Sequence, residues 1–75
     1  MNKEKAIVII PTYNERENIG RMIEVLEEKF FSQIKDWKMA ILVVDDHSPD
    51  GTAEIVREKM KIYPNIELSL GEKQG

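Results

Sequence analysis

Two short apolar runs and two helically spaced apolar stripes set the plan of the chain. Ala6 to Ile10 reads Ala-Ile-Val-Ile-Ile, followed by Pro11. A continuous β-branched run is what a strand buried on both faces needs, as in a parallel sheet with helices on each side. Proline has no amide hydrogen for a ladder, so this strand is expected to end at Pro11. Thr12 to Glu15 then reads as a polar turn. Asn14 stands where a helix cap is needed, with Glu17 three residues on in a capping-box relation. Ile19, Met22, Ile23, Leu26 and Phe30 recur at helical spacing and predict a helix that ends near Phe31 or Ser32, with this stripe buried. Gln33 to Lys38 connects it onward.

Met39 to Val44 reads Met-Ala-Ile-Leu-Val-Val and runs directly into Asp45 and Asp46. It predicts a second buried strand. Ser48 is placed to cap a second helix, with Pro49 in its first position and Asp50 in its first turn. A hydroxyl there accepts an orphan amide, proline gives up no hydrogen bond, and a carboxylate sits at the positive end of the helix dipole. Ala53, Val56, Met60 and Tyr63 form the expected buried stripe, and Pro64 and Asn65 end it. Ile66 to Leu70 fits a third strand, followed by the polar tail Gly71 to Gly75. The order strand, helix, strand, helix, strand predicts an α/β fold. It is the Rossmann-like βαβαβ unit, with parallel strands and right-handed crossovers.

Composition narrows the class. At 75 residues the chain is the size of a small domain or of part of a larger one. A chain this short buries only about 60% of the surface its unfolded state exposes. The formal net charge of −3 argues against binding a nucleic-acid backbone, which calls for a basic patch. With no cysteine, a disulfide scaffold and a thiolate metal site are both excluded. No apolar run approaches the roughly 18 residues that span a bilayer. The apolar run Ala6 to Ile10 is also shorter than the about 7 to 15 residues of a signal-peptide core, so a cytoplasmic start is expected.

In open α/β sheets, ligands bind outside the carboxyl ends of the strands. Two polar clusters lie at such ends: Pro11 to Glu15, and Asp45 to Thr52. Tyr13 offers a flat ring for stacking on a base. Glu15 and Asp46 are acceptors for ring nitrogens or ribose hydroxyls. Adjacent carboxylates at the mouth of an apolar strand repel, and a strand end does not require them, which makes Asp46 the leading site residue. Asp45 has a second reading, as a brace that accepts backbone amides. Asn14, Ser48, Asp50, Gly51 and Thr52 read mainly as helix-start chemistry, His47 as a solvent-facing loop residue, and Trp37 as cover for a core edge. Neither G-x-G-x-x-G nor G-x-x-x-x-G-K-[ST] occurs. A nucleotide here would be gripped by base and ribose, with its phosphates handled elsewhere by a metal.

The strings P-T-Y-N-E-R-E-N-I and D-D-H-S-P-D-G-T resemble the opening of family 2 glycosyltransferases of the GT-A fold, and in particular the dolichol-phosphate mannose synthases. The resemblance covers nearly the whole chain. It implies that residues 1–75 are the N-terminal nucleotide-sugar-binding segment of a truncated glycosyltransferase domain. Pro11, Tyr13, Glu15 and Asp46 would line the nucleotide pocket, with Val44 and Asp45 as further candidates beside them. It also implies an inverting transfer from a GDP-mannose-like donor to a polyprenyl (dolichol) phosphate, at the cytoplasmic face of a membrane. A divalent metal, magnesium or manganese, would be held by a D-x-D motif beyond Gly75. No catalytic residue and no metal ligand is then expected in this chain, and by itself it is expected to be inactive. Glu72 to Gly75 resembles the lead-in to a glycine-rich segment. His47 departs from the small or acidic residue more usual at its position.

Two other functions compete. Ile41 to Asp46 is similar to the first strand and magnesium-binding acidic pair of a signalling receiver domain. In such domains, however, the pair follows the first strand, and here a strand and a helix precede it. The other reading is a catalytically inert folding unit. The open edges of a three-stranded sheet also invite self-association.

Overall fold

A computed structural model describes residues 4–71 of the chain. Strand β1 spans Glu4–Thr12, helix α1 Arg16–Val25, strand β2 Trp37–Asp45, helix α2 Thr52–Met60 and strand β3 Ile66–Leu70. All strand pairs are parallel, and β2 lies between β1 and β3. The βαβαβ unit is as expected, and β3 has its expected bounds.

The strand alternation sorts the two faces. Ile10 of β1, Ile41 and Val43 of β2, and Ile66 and Leu68 of β3 point to one side. There they meet Ile19 and Ile23 of α1 and Val56 of α2, which are fully or almost fully buried. Both helices therefore cover the same face. The other face carries Ile7, Ile9 and Pro11 in register with Ala40, Leu42 and Val44, and Ile9 is 62% exposed. The expectation of helices on both sides does not hold among the described residues. Two crossovers of one hand between neighbours added in one direction place both helices on one side. The apolar runs still carry the residues for a second covered face.

Pro11 does not end β1. It stays in register opposite Val44, and the strand runs on to Thr12. Among the described residues β1 is an edge, where a proline can sit with its nitrogen turned away from the ladder. Trp37 opens β2 and is half exposed, so it covers little of the core.

Helix α1 continues past Val25 as a π turn, Leu26–Phe30, and a 3₁₀ turn, Phe31–Gln33. The extra residue in a π turn rotates the stripe that helical spacing predicts. Ile19 and Ile23 are buried as expected; Phe30, at the end of the turn, is 57% exposed, and Met22, which precedes the turn, is exposed at the margin of the buried stripe. The same turn aims Glu27 and Glu28 at the neighbouring elements. Glu28 accepts from the Tyr63 hydroxyl, whose pKa is pushed up to about 12 by that bond. Glu27 Oε1 accepts from Asn65 Nδ2 at 3.1 Å, and Asn65 also donates to the Met39 carbonyl at 3.0 Å. Gly20 lets α1 approach α2, because an added Cβ would lie 3.2 Å from Ile55 Cγ2.

Among the described residues, buried Glu27 Oε2 has no hydrogen-bond partner. Burial raises the Glu27 pKa above its usual value, and the bond from Asn65 opposes that rise only in part. The favourable contribution of a raised carboxyl is complete below the unfolded-state pKa and is lost as pH rises through the folded-state value. Glu27→Gln keeps an acceptor for Asn65 and removes the charge. It is expected to stabilise the fold at pH 7 by up to about 1 kcal/mol, because it removes a charge held away from water and leaves only a neutral amide nitrogen in the place of Oε2. The gain should shrink as the pH of the thermal melts is lowered toward the usual carboxyl value of 4.5.

Candidate nucleotide site

The loops after β1 and β2 are built into each other. Asn14 has a φ of 55°, so the chain turns through the left-handed region at the residue expected to cap α1. Its side chain does not cap the helix. Helix α1 starts after Glu15 with no side-chain cap of its own. The amide of its first residue and the two amides before it are met from the opposite loop instead. Asn14 N–H donates to Ser48 Oγ at 2.8 Å, Glu15 N–H to Thr52 Oγ1 at 3.0 Å, and Arg16 N–H to Asp50 Oδ2 at 3.1 Å. Such orphan amides need a partner wherever it comes from.

Ser48 and Pro49 likewise do not start α2, which begins at Thr52 after Gly51, whose φ of 91° suits glycine. Asp50 Oδ1 accepts from Thr52 N–H at 3.0 Å and from the Thr52 hydroxyl. These bonds, that from the Thr52 hydroxyl foremost, hold the Asp50 carboxyl below its usual pKa. Asp50 therefore starts two helices at once, one through each oxygen.

Asp45 is the centre of the brace and is 1% exposed. Its Oδ1 accepts from Thr12 Oγ1 at 2.8 Å and from Ser48 Oγ at 2.6 Å, and its Oδ2 accepts from Ser48 N–H at 2.9 Å. Burial alone would raise its pKa, but the bonds from Ser48 and Thr12 outweigh it and the carboxyl lies below its usual value. Asp45 is thus the buried brace that its second reading describes, with both oxygens engaged.

Pro11 and Val44 are register partners on the open face. Tyr13 follows and is 56% exposed. Asp46 N–H donates to the Thr12 carbonyl at 3.0 Å, so the alternation carries past Val44 and Asp46 is exposed next to it. Among the described residues the Asp46 carboxylate accepts no hydrogen bond. The Glu15 carboxylate takes only a long contact of 3.4 Å from Asn18 Nδ2. The fold therefore brings together Pro11, Tyr13, Val44 and Asp46 at the carboxyl ends of adjacent strands, with Glu15 at the start of α1. One neighbour was missed from the sequence. Gly71, after β3, donates its N–H to the Asp45 carbonyl at 2.9 Å, and a Cβ on it would lie 3.7 Å from Asp46 Oδ1. A glycine straight after a third strand was the available signal.

Asp45 and Asp46 differ in how far their carboxylates are engaged. Both Asp45 oxygens are used by Thr12 and Ser48, and among the described residues no group of three or more His, Asp or Glu side chains is arranged to hold an ion.

A profile for the family described as Glycosyl transferase family 2 matches residues 7–75. The chain belongs to glycosyl transferase family 2. This family 2 chain is 39% identical to the glycosyltransferase AglE of Haloferax volcanii over 67 residues, which is 89% of the chain and 21% of that protein. It is 45% identical to the dolichol-phosphate mannosyltransferase of Pyrococcus furiosus over 60 residues, 80% of the chain and 16% of that protein. The mannosyltransferase PcManGT from Pyrobaculum calidifontis, solved in complex with GDP-Man and Mn2+, superposes with a TM-score of 0.72 at 32% identity. That match covers 100% of the chain and 22% of the solved one. The βαβαβ unit is accordingly that of the GT-A fold, and the family 2 chain spans about a fifth of the length of these relatives. No helix among the described residues is long and apolar enough to cross a membrane.

Proposed function

We propose that this chain is the donor-recognition segment of an inverting mannosyltransferase. It holds the base and ribose of a GDP-mannose-like sugar nucleotide, for transfer to a polyprenyl (dolichol) phosphate at the cytoplasmic face of a membrane. The observation that carries this reading is the cross-braced pair of loops. Asp45, Ser48, Asp50 and Thr52 are consumed in holding the loops together, while the side chains of Tyr13 and Asp46 are left exposed and that of Glu15 partly so, on the same pair of loops. A ring and two free carboxylates suit a nucleoside, whose base and ribose supply a flat face and donors. They do not suit a diphosphate, which they would repel. A metal of the kind present with GDP-Man in PcManGT would have to be held by residues other than these. It would supply charge neutralisation on the diphosphate.

Addition of GDP to the isotope-labelled chain is expected to move the amide signals of residues 11 to 15 and 45 to 48, with a weaker response to UDP. The isolated chain is expected to transfer no sugar. Signals that move elsewhere, or equal responses to unrelated anions such as sulfate, would remove the site assignment. Turnover by the chain alone would remove the division of labour.

A further inference from the structure

His47 reads from the sequence as a solvent-facing loop residue, and its placement gives it a use. Its backbone lies in the left-handed region, with a φ of 52°. Its Nε2 is hydrogen-bonded to the carbonyl of Gly71, 24 positions away. Gly71 is held at its other end as well, through its N–H to the Asp45 carbonyl at 2.9 Å. The loop from Asp45 to His47 thus grips both backbone groups of the residue that follows β3. Asp46 lies between the two grips, with its Oδ1 next to the place a Gly71 side chain would fill.

The geometry points to His47 as a positioning residue of the nucleotide site. By clasping Gly71 it adds one side-chain rung to the β2–β3 ladder beyond Asp45. That rung fixes the spacing between the Asp46 carboxylate and the chain leaving β3, and so presents Asp46 ready-oriented to the ligand. This role rests on the nucleotide reading above. Pre-ordering a ligand-binding group removes part of the entropy cost of binding, so the clasp acts on affinity without touching the nucleotide.

Asparagine and glutamine separate the clasp from the backbone. Asparagine tolerates the left-handed conformation at least as well as histidine but is too short to reach Gly71. Glutamine can carry an amide N–H to about the place of Nε2. In GDP titrations of the 75-residue chain, His47→Asn is expected to weaken binding by about three- to tenfold, the equivalent of one net hydrogen bond. Its melting temperature should fall by no more than a few degrees, the loss of about one exposed hydrogen bond, and the carbonyl-carbon signal of Gly71 should shift before any GDP is added. His47→Gln is expected to restore most of the affinity. Wild-type affinity in His47→Asn, a weakened affinity that His47→Gln fails to restore, or a loss of stability in His47→Asn that accounts for the weakening would each overturn the role. A wild-type chain that binds no GDP would instead overturn the nucleotide reading, and this role with it.

Discussion

Asp45→Ala is expected to cost the fold about 3 kcal/mol, the upper range for a group that accepts hydrogen bonds as an ion. The carboxylate collects three donations from Thr12 and Ser48. Its loss leaves a buried threonine hydroxyl and the Ser48 amide unmet. It also frees Ser48, whose hydroxyl caps Asn14. A chain of 75 residues has a total stability of only about 5 kcal/mol. A loss of that size lowers the melting temperature by about 15 °C. Asp45→Asn should cost much less, about 1 kcal/mol. Its oxygen can serve the Ser48 amide while its nitrogen faces two hydroxyls, which can rotate to accept. The Asp45 carboxyl lies below its usual pKa, so its stabilisation is present above the unfolded-state value of 3.8 and is lost as pH falls through the folded-state value. Thermal melts of the wild type and Asp45→Asn should therefore converge as the pH is lowered below about 4. Equal melting temperatures for Asp45→Ala and wild type at pH 7 would show that the brace does not hold the loops.

What could be read from the sequence follows the range of the forces concerned. The apolar runs placed three strands in order because burial acts residue by residue, and periodicity reports it. The same runs did not tell which face is covered, since Ile7 and Ile9 are as apolar as Ile10 but lie on the open side. Helix starts were misread for a related reason. Asn14, Ser48 and Pro49 have the chemistry of local caps, yet the amides of the first loop are capped by Ser48, Asp50 and Thr52 more than thirty positions away. Capping rules describe an isolated helix, whereas here two parallel strands bring two helix starts within hydrogen-bond reach. The π turn at Leu26 carries no compositional signal, and Phe30 at its end lies off the buried stripe. Among the candidate site residues, the acidic pair was legible as unusual. Only the geometry divides it into Asp45, which is spent on the fold, and Asp46, which is left free.

That division gives Asp46→Ala the opposite signature to Asp45→Ala. Asp46 is exposed and, among the described residues, its carboxylate accepts no hydrogen bond, so the fold loses nothing by its removal. The melting temperature should stay constant. Binding of GDP should weaken by at least about tenfold, since an ionised acceptor facing ring nitrogens or ribose hydroxyls contributes about 1.5 to 3 kcal/mol. Asp46→Asn should fall between, because it keeps one acceptor and loses the charge. Calorimetric titration of GDP into the wild type and both variants, with melts on the same samples, separates the outcomes. A variant that melts like the wild type and binds GDP equally well would show that Asp46 faces solvent and not the nucleotide. The free acid of the pair would then need another ligand. A variant that loses both binding and stability would place Asp46 in the brace with Asp45, where the hydrogen bonds of Thr12 and Ser48 leave no role for it.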